Sequence, residues 1–115
     1  MNPIDRPGVE RERSSGELIG IDLGGTAIKL GRFSPDGVLL AELSIDTPQP
    51  AVPGGVCVAI AEAVAQLDPE RRCDRVGIGH PGPADASGRV ARIAINLPGW
   101  IDVPLADWLE PMLER

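Results

Sequence analysis

With 115 residues, 43% of them hydrophobic, the chain has the length of one ordinary domain. It can bury roughly two-thirds of the surface its unfolded form exposes, which excludes a mini-protein dependent on disulfide or metal staples. A net charge of −6 excludes a general nucleic-acid or anionic-membrane surface, because those bind through clustered Lys and Arg, so any anionic ligand must be held locally.

Residues 1–16 alternate charges with Pro and Gly and lack the apolar core of a signal peptide, and they read as a disordered polar tail. Residues 17–23 (ELIGIDL) are a short β-branched apolar run, and residues 27–34 (AIKLGRFS) alternate apolar and polar from Ile28, so both are predicted strands. Gly24 and Gly25 between them can take positive φ in a tight hairpin, and Pro35-Asp36-Gly37 turns the chain into a third strand over 38–45. The Pro- and Gly-rich stretch 47–55 is a connection. It leads to a helix over 56–67, where Val56, Ile60, Val64 and Leu67 recur at helical spacing until Asp68-Pro69 stops it. A short strand over 75–79, a Pro/Gly loop and a ribbon over 89–95 follow. The last element, over 104–114, puts Leu105, Trp108, Leu109 and Met112 on one helical face, with Pro111 expected to kink or end it. This order predicts an α/β fold whose mixed sheet starts with three antiparallel strands. The longest apolar stretch, 56–67, contains Glu62 and Gln66 and is too short for a bilayer, so a cytoplasmic protein is expected. Cys57, Cys73 and a single His compose neither a zinc cluster nor a disulfide framework, and both thiols are expected to be reduced.

The strongest chemical signal is Gly20-Ile21-Asp22-Leu23-Gly24-Gly25-Thr26 with Lys29, the only lysine, close behind. Consecutive glycines let backbone amides approach phosphate oxygens, Thr26 adds a hydroxyl, and Asp22 can hold a hydrated cation. One carboxylate beside bound phosphates is sufficient for Mg²⁺, which keeps several of its waters. A plain Gly-Gly hairpin, with Asp and Thr satisfying turn amides, accounts for the same residues and is compatible with phosphate binding. The P-loop pattern fails because Thr26 stands where Lys is required. Gly77-Ile78-Gly79-His80-Pro81-Gly82 has dinucleotide-loop spacing, but Pro83 and a polar turn follow where a helix should open.

GIDLGGTAIK, GIGHPGPAD, GRV and NLPGWIDVPL, in this order, resemble the amino-terminal half of a ROK-family sugar kinase of the bacterial glucokinase type, over about residues 18–110. The resemblance implies an actin/hexokinase-like ATPase fold, in which two RNase H-like lobes close on a cleft. Residues 17–115 would be an incomplete amino-terminal lobe. It implies that Asp22, Gly24, Gly25 and Thr26, with Lys29 nearby, meet ATP phosphates and Mg²⁺, Asp22 reaching the ion through water. Gly82 and Pro83 would lie against the sugar, and Asn96 would hydrogen-bond sugar hydroxyls, although by its local sequence Asn96 is a residue capping the turn before Leu97-Pro98. Trp100 and Trp108 read as packing residues, His80 as structural at a position where the family has small or apolar residues, and Asp85 and Asp102 as turn and helix-start carboxylates.

The implied reaction moves the γ-phosphoryl of ATP, or the terminal phosphoryl of polyphosphate as the other donor, to the 6-hydroxyl of glucose or a related hexose. The family's catalytic aspartate lies in an Asn-Asp motif and its zinc ligands in a Cys/His cluster, neither of which occurs in these 115 residues. The chain is therefore expected to hold no catalytic base, to be inactive alone, and to need zinc only if that cluster exists. ATP and a hexose are the expected partners, without nucleic acid or membrane, in a homo-oligomer when full length. Two alternatives are a sugar-sensing ROK transcriptional regulator, whose preceding helix-turn-helix domain sixteen polar residues cannot form, and a non-catalytic actin-like binding module.

Overall fold

A computed structural model describes residues 15–95 and 97–115, so most of the expected tail and the candidate Asn96 lie outside the described residues. Strands β1 (Leu18–Leu23), β2 (Ala27–Phe33) and β3 (Leu39–Asp46) precede helix α1 (Pro53–Leu67). Then come β4 (Arg75–Gly79), β5 (Ala91–Ile93), β6 (Ile101–Val103) and helix α2 (Leu105–Leu113). The main sheet has the order β3-β2-β1-β4. Its first three strands are antiparallel neighbours, and β4 returns across α1 to run parallel to β1. A parallel pair needs such a crossover, and the intervening helix supplies it.

Alternation along the strands decides which face α1 covers. Ile19, Ile21 and Leu23 of β1 and Ile28 and Leu30 of β2 are buried with Val56, Ile60, Ala63 and Val64 of α1 in one core. The opposite face of the sheet carries Asp22, Lys29, Glu42 and Ser44 and is open. α1 begins three residues earlier than its apolar spacing predicts, because Pro53 occupies the first turn, where the amide it lacks has no helical partner anyway. The ribbon expected over 89–95 is shorter, and its partner β6 was not anticipated. Ala91 pairs with Val103 and Ile93 with Ile101.

α2 corrects two expectations. Pro111 lies inside the helix without ending it, since it falls in the last turn and Glu114, at φ 57°, closes that turn through its amide on the Glu110 carbonyl. The buried stripe is Leu105, Leu109 and Leu113, so Trp108, about 100° round the helix from Leu109, is 42% exposed instead of packed. Trp100 packs as expected. It is 1% exposed, and its indole N–H donates to the Ala51 carbonyl at 2.8 Å.

Two buried carboxylates tie the elements together at the end of the sheet where β4 starts. Glu17 receives Arg32 at 2.7 Å and Arg72 at 3.0 Å. Asp68, 1% exposed just past α1, accepts the amides of Arg72 and Cys73, each at 2.9 Å, and the Arg115 guanidinium, which also donates to the Cys73 carbonyl. Burial alone would push both carboxyls up, but the hydrogen bonds and guanidinium charges outweigh it and hold both below the usual carboxylate range. No helix among the described residues is long and apolar enough to cross a membrane.

Candidate functional site

The pairing of β1 with β4 sets Asp22 opposite Gly79, so the carboxyl ends of two adjacent parallel strands lie side by side. Ligands of open α/β sheets bind outside such ends. The loop 24–26 leaves one of them and the loop 80–83 leaves the other, which brings the phosphate candidates and the sugar-loop candidates to the same edge of the sheet.

Asp22 is exposed on the open face, in register with Lys29 of β2, and no ion pair joins the two. Both line a shallow depression of about 410 Å³ together with Gly20, Gly31 and Phe33. Gly24 donates its amide to the Ala27 carbonyl at 3.0 Å, and a Cβ there would stand 2.8 Å from that same oxygen. The expectation of positive φ for Gly24-Gly25 is corrected. Among the described residues the glycines at positive φ are Gly16, Gly37, Gly82, Gly88 and Gly99, and close approach of backbone to backbone is what excludes a side chain at Gly24.

The loop's carbonyls point one way. Thr47 donates its hydroxyl to the Gly24 carbonyl at 2.7 Å and its amide to the Thr26 carbonyl at 2.9 Å, while the Gln49 side-chain amide donates to the Gly25 carbonyl at 3.0 Å. In a trans peptide the N–H opposes the C=O, so the amides of Gly25 and Thr26 face away from Thr47 and Gln49. Neither donates to a group among the described residues. Two successive amides that face away from these partners suit an anion, and the solvent-open carboxylate of Asp22, three residues before Gly25 in β1, suits a hydrated Mg²⁺ whose remaining ligands come from phosphate. Residues 47–55 read only as a connection in the sequence. The hint was a Thr and a Gln in an otherwise Pro- and Gly-rich stretch.

In the second loop, Gly82 donates to the His80 carbonyl at 2.9 Å and has φ 157°. Ile95 donates to the Pro81 carbonyl at 2.7 Å and Arg92 to that of Pro83 at 3.0 Å, so this loop lies against the segment that leads to Asn96. A Cβ on Gly82 would stand 1.8 Å from the Ile93 carbonyl oxygen, a packing demand independent of any ligand. Pro83 is exposed.

Two of the remaining residues, Asp85 and Asp102, hold partners within the fold. Asp85 accepts the Ser87 hydroxyl and the amides of Ser87 and Arg89, as a turn carboxylate. Asp102 is corrected from a helix start to a position in β6, at φ 50°, paired with Arg92. His80 lines a cavity of about 470 Å³ between β4 and α2, which holds none of the phosphate- or sugar-loop candidates, and its Nδ1 is buried with no partner among the described residues. No group of three His, Cys, Asp or Glu side chains among the described residues could cage a metal ion.

The model of the ROK family matches residues 18–115. Over 93 residues the chain is 38% identical to the glucokinase of Thermotoga maritima, a match covering 81% of this chain and 29% of that protein. Its fold is similar to that of a ROK family glucokinase from Streptomyces griseus in complex with glucose and AMPPNP, with TM-score 0.78 and 33% identity over 86% of this chain and 31% of that one. It is also similar to the inorganic polyphosphate/ATP-glucomannokinase of Arthrobacter sp. strain KM, with TM-score 0.75 and 35% identity over 86% of this chain and 41% of that one. The chain thus spans less than half the length of the relatives it matches.

Proposed function

The chain belongs to the ROK family, and on that premise we propose that residues 17–115 are the amino-terminal part of an actin-like ATPase lobe that grips phosphate and touches sugar in a hexose kinase. The proposed reaction transfers the γ-phosphoryl of ATP to the 6-hydroxyl of glucose or a related hexose in the cytoplasm. Polyphosphate is the alternative donor, by likeness to the glucomannokinase. The observation that supports this reading is the pair of amides at Gly25 and Thr26 that have no partner among the described residues, set beside the Gly82 loop at the carboxyl ends of β1 and β4.

In this reading the amides of Gly25 and Thr26 and the Thr26 hydroxyl bind phosphate oxygens, and Lys29, on the same face as Asp22, adds positive charge. Asp22 would hold Mg²⁺ through water, and the ion would neutralise charge on the transferred group. Gly82 and Pro83 would form the wall against which the sugar lies, and Asn96 would orient its hydroxyls. The base is assigned to no aspartate of this chain, because none follows an asparagine as the family's motif requires. The proposal is tested by titrating the ¹⁵N-labelled chain with MgAMPPNP. The Gly25 and Thr26 amide signals should shift and those of α2 should not. Signals at the loop that stay fixed at millimolar nucleotide would remove the phosphate role.

A further inference from the structure

Nothing in a Gly-Gly-Thr loop by itself keeps its amides pointed at a ligand. Glycine gains more freedom than any other residue when a loop loosens, and each peptide plane can rotate. Here the three carbonyls of the loop are all engaged by one short segment after β3, and rotating the plane of any of them breaks a hydrogen bond. Thr47 is 3% exposed and makes two of the three bonds, one through its hydroxyl and one through its backbone amide. Gln49 is exposed and makes the third. The same segment ends at Ala51, whose carbonyl receives the Trp100 indole N–H at 2.8 Å, so it is itself anchored to the stretch that follows Asn96.

Resting on the phosphate reading above, we propose that Thr47 and Gln49 are positioning residues of the phosphate loop. By holding the carbonyls of Gly24 and Gly25 they aim the amides of Gly25 and Thr26 at the anion, while the Thr47 amide on the Thr26 carbonyl fixes the next peptide, where β2 begins. Neither side chain touches the nucleotide. They act by paying the loop's ordering cost before the ligand arrives, which is how preorganised donors gain affinity.

The test compares the wild-type chain with Thr47→Val, Thr47→Ser and Gln49→Met, all well below their melting temperatures. One readout is the affinity for MgAMPPNP from the Gly25 and Thr26 amide shifts, and the other is the ¹⁵N order parameter of those amides without ligand. Thr47→Val and Gln49→Met should each weaken binding about fivefold to tenfold, the effect of one lost hydrogen bond, and lower both order parameters. Thr47→Ser, which keeps the hydroxyl, should bind within about twofold of wild type. A residue that only stabilised the fold would move the melting temperature and leave both readouts of the folded chain unchanged. Because Gln49 is exposed, Gln49→Met keeps the test open even if Thr47→Val fails to fold. If the wild type binds and both variants bind equally well, the positioning role is wrong. If the wild-type loop signals ignore MgAMPPNP, the phosphate reading fails and the proposal falls with it.

Discussion

At Gly82 an added Cβ would overlap the Ile93 carbonyl oxygen at 1.8 Å, whereas at Gly77 it would meet nothing within 4 Å. Gly82→Ala should therefore cost about 3 kcal/mol or more, and Gly77→Ala less than about 1 kcal/mol, measured by urea denaturation. Equal costs would mean that the 81–83 loop is not held against β5. Asp22 is a different case, because it is exposed and in no ion pair among the described residues. Asp22→Asn should leave stability within about 0.5 kcal/mol of wild type while weakening Mg²⁺-dependent AMPPNP binding about tenfold, as read by calorimetry with and without the ion. The cysteines yield a third expectation. Burial pushes the thiols of Cys57 and Cys73 up to about 11 each, so a disulfide reagent at pH 8 should label neither in the folded chain and both once it is unfolded. That both thiols are free was legible from the cysteine count, but their inertness follows only from the depth of the core around them.

Between elements, the carboxylates of Glu17 and Asp68 join β1 and β2 to the stretch before β4, and α1 to the end of α2. Both are held below their ordinary values in the folded chain, so their contribution is present above the unfolded carboxylate range and is lost as pH falls through the folded values. Melting temperatures should accordingly be flat near neutrality and drop below about pH 4. Asp68→Asn should flatten part of that drop and cost about 2–4 kcal/mol at pH 7, since it leaves the Arg115 guanidinium buried without its counter-charge. An acid profile shared by wild type and Asp68→Asn would show that Asp68 takes no part in it. None of this clamp was legible in the chain order. Asp68-Pro69 reads as a helix stop, and its partner Arg115 is 47 residues away. Hydrophobic spacing did place α2, yet it could not choose between the Leu105/Leu109/Leu113 stripe and the neighbouring Trp108/Met112 stripe. That choice depends on where α1 lies.

For the whole molecule, the proposed reading predicts binding without turnover when the 115-residue polypeptide is mixed with glucose, ATP and Mg²⁺, because it assigns the acceptor of the hydroxyl proton to an Asn-Asp motif that these residues do not contain. A coupled assay showing steady glucose 6-phosphate formation by the purified chain would overturn that. The chain order of β1 to β4 and of the two helices, the mixed sheet and the motifs of family membership were readable from local patterns, whereas β6 was not. Alternation, turn residues and glycine spacing act over a few neighbours and need no partner to be recognised. By itself the sequence therefore determined the α/β class, the ROK resemblance and the residue types proposed to grip a phosphate. Tertiary structure alone decided that Gly24 is a glycine for close approach, that Thr47 and Gln49 turn the loop's carbonyls away from its open side, and that Gly82 is wedged on Ile93. Each of these depends on contacts between segments far apart in the chain, which the parallel pairing of β1 with β4 and the packing of α1 bring into register.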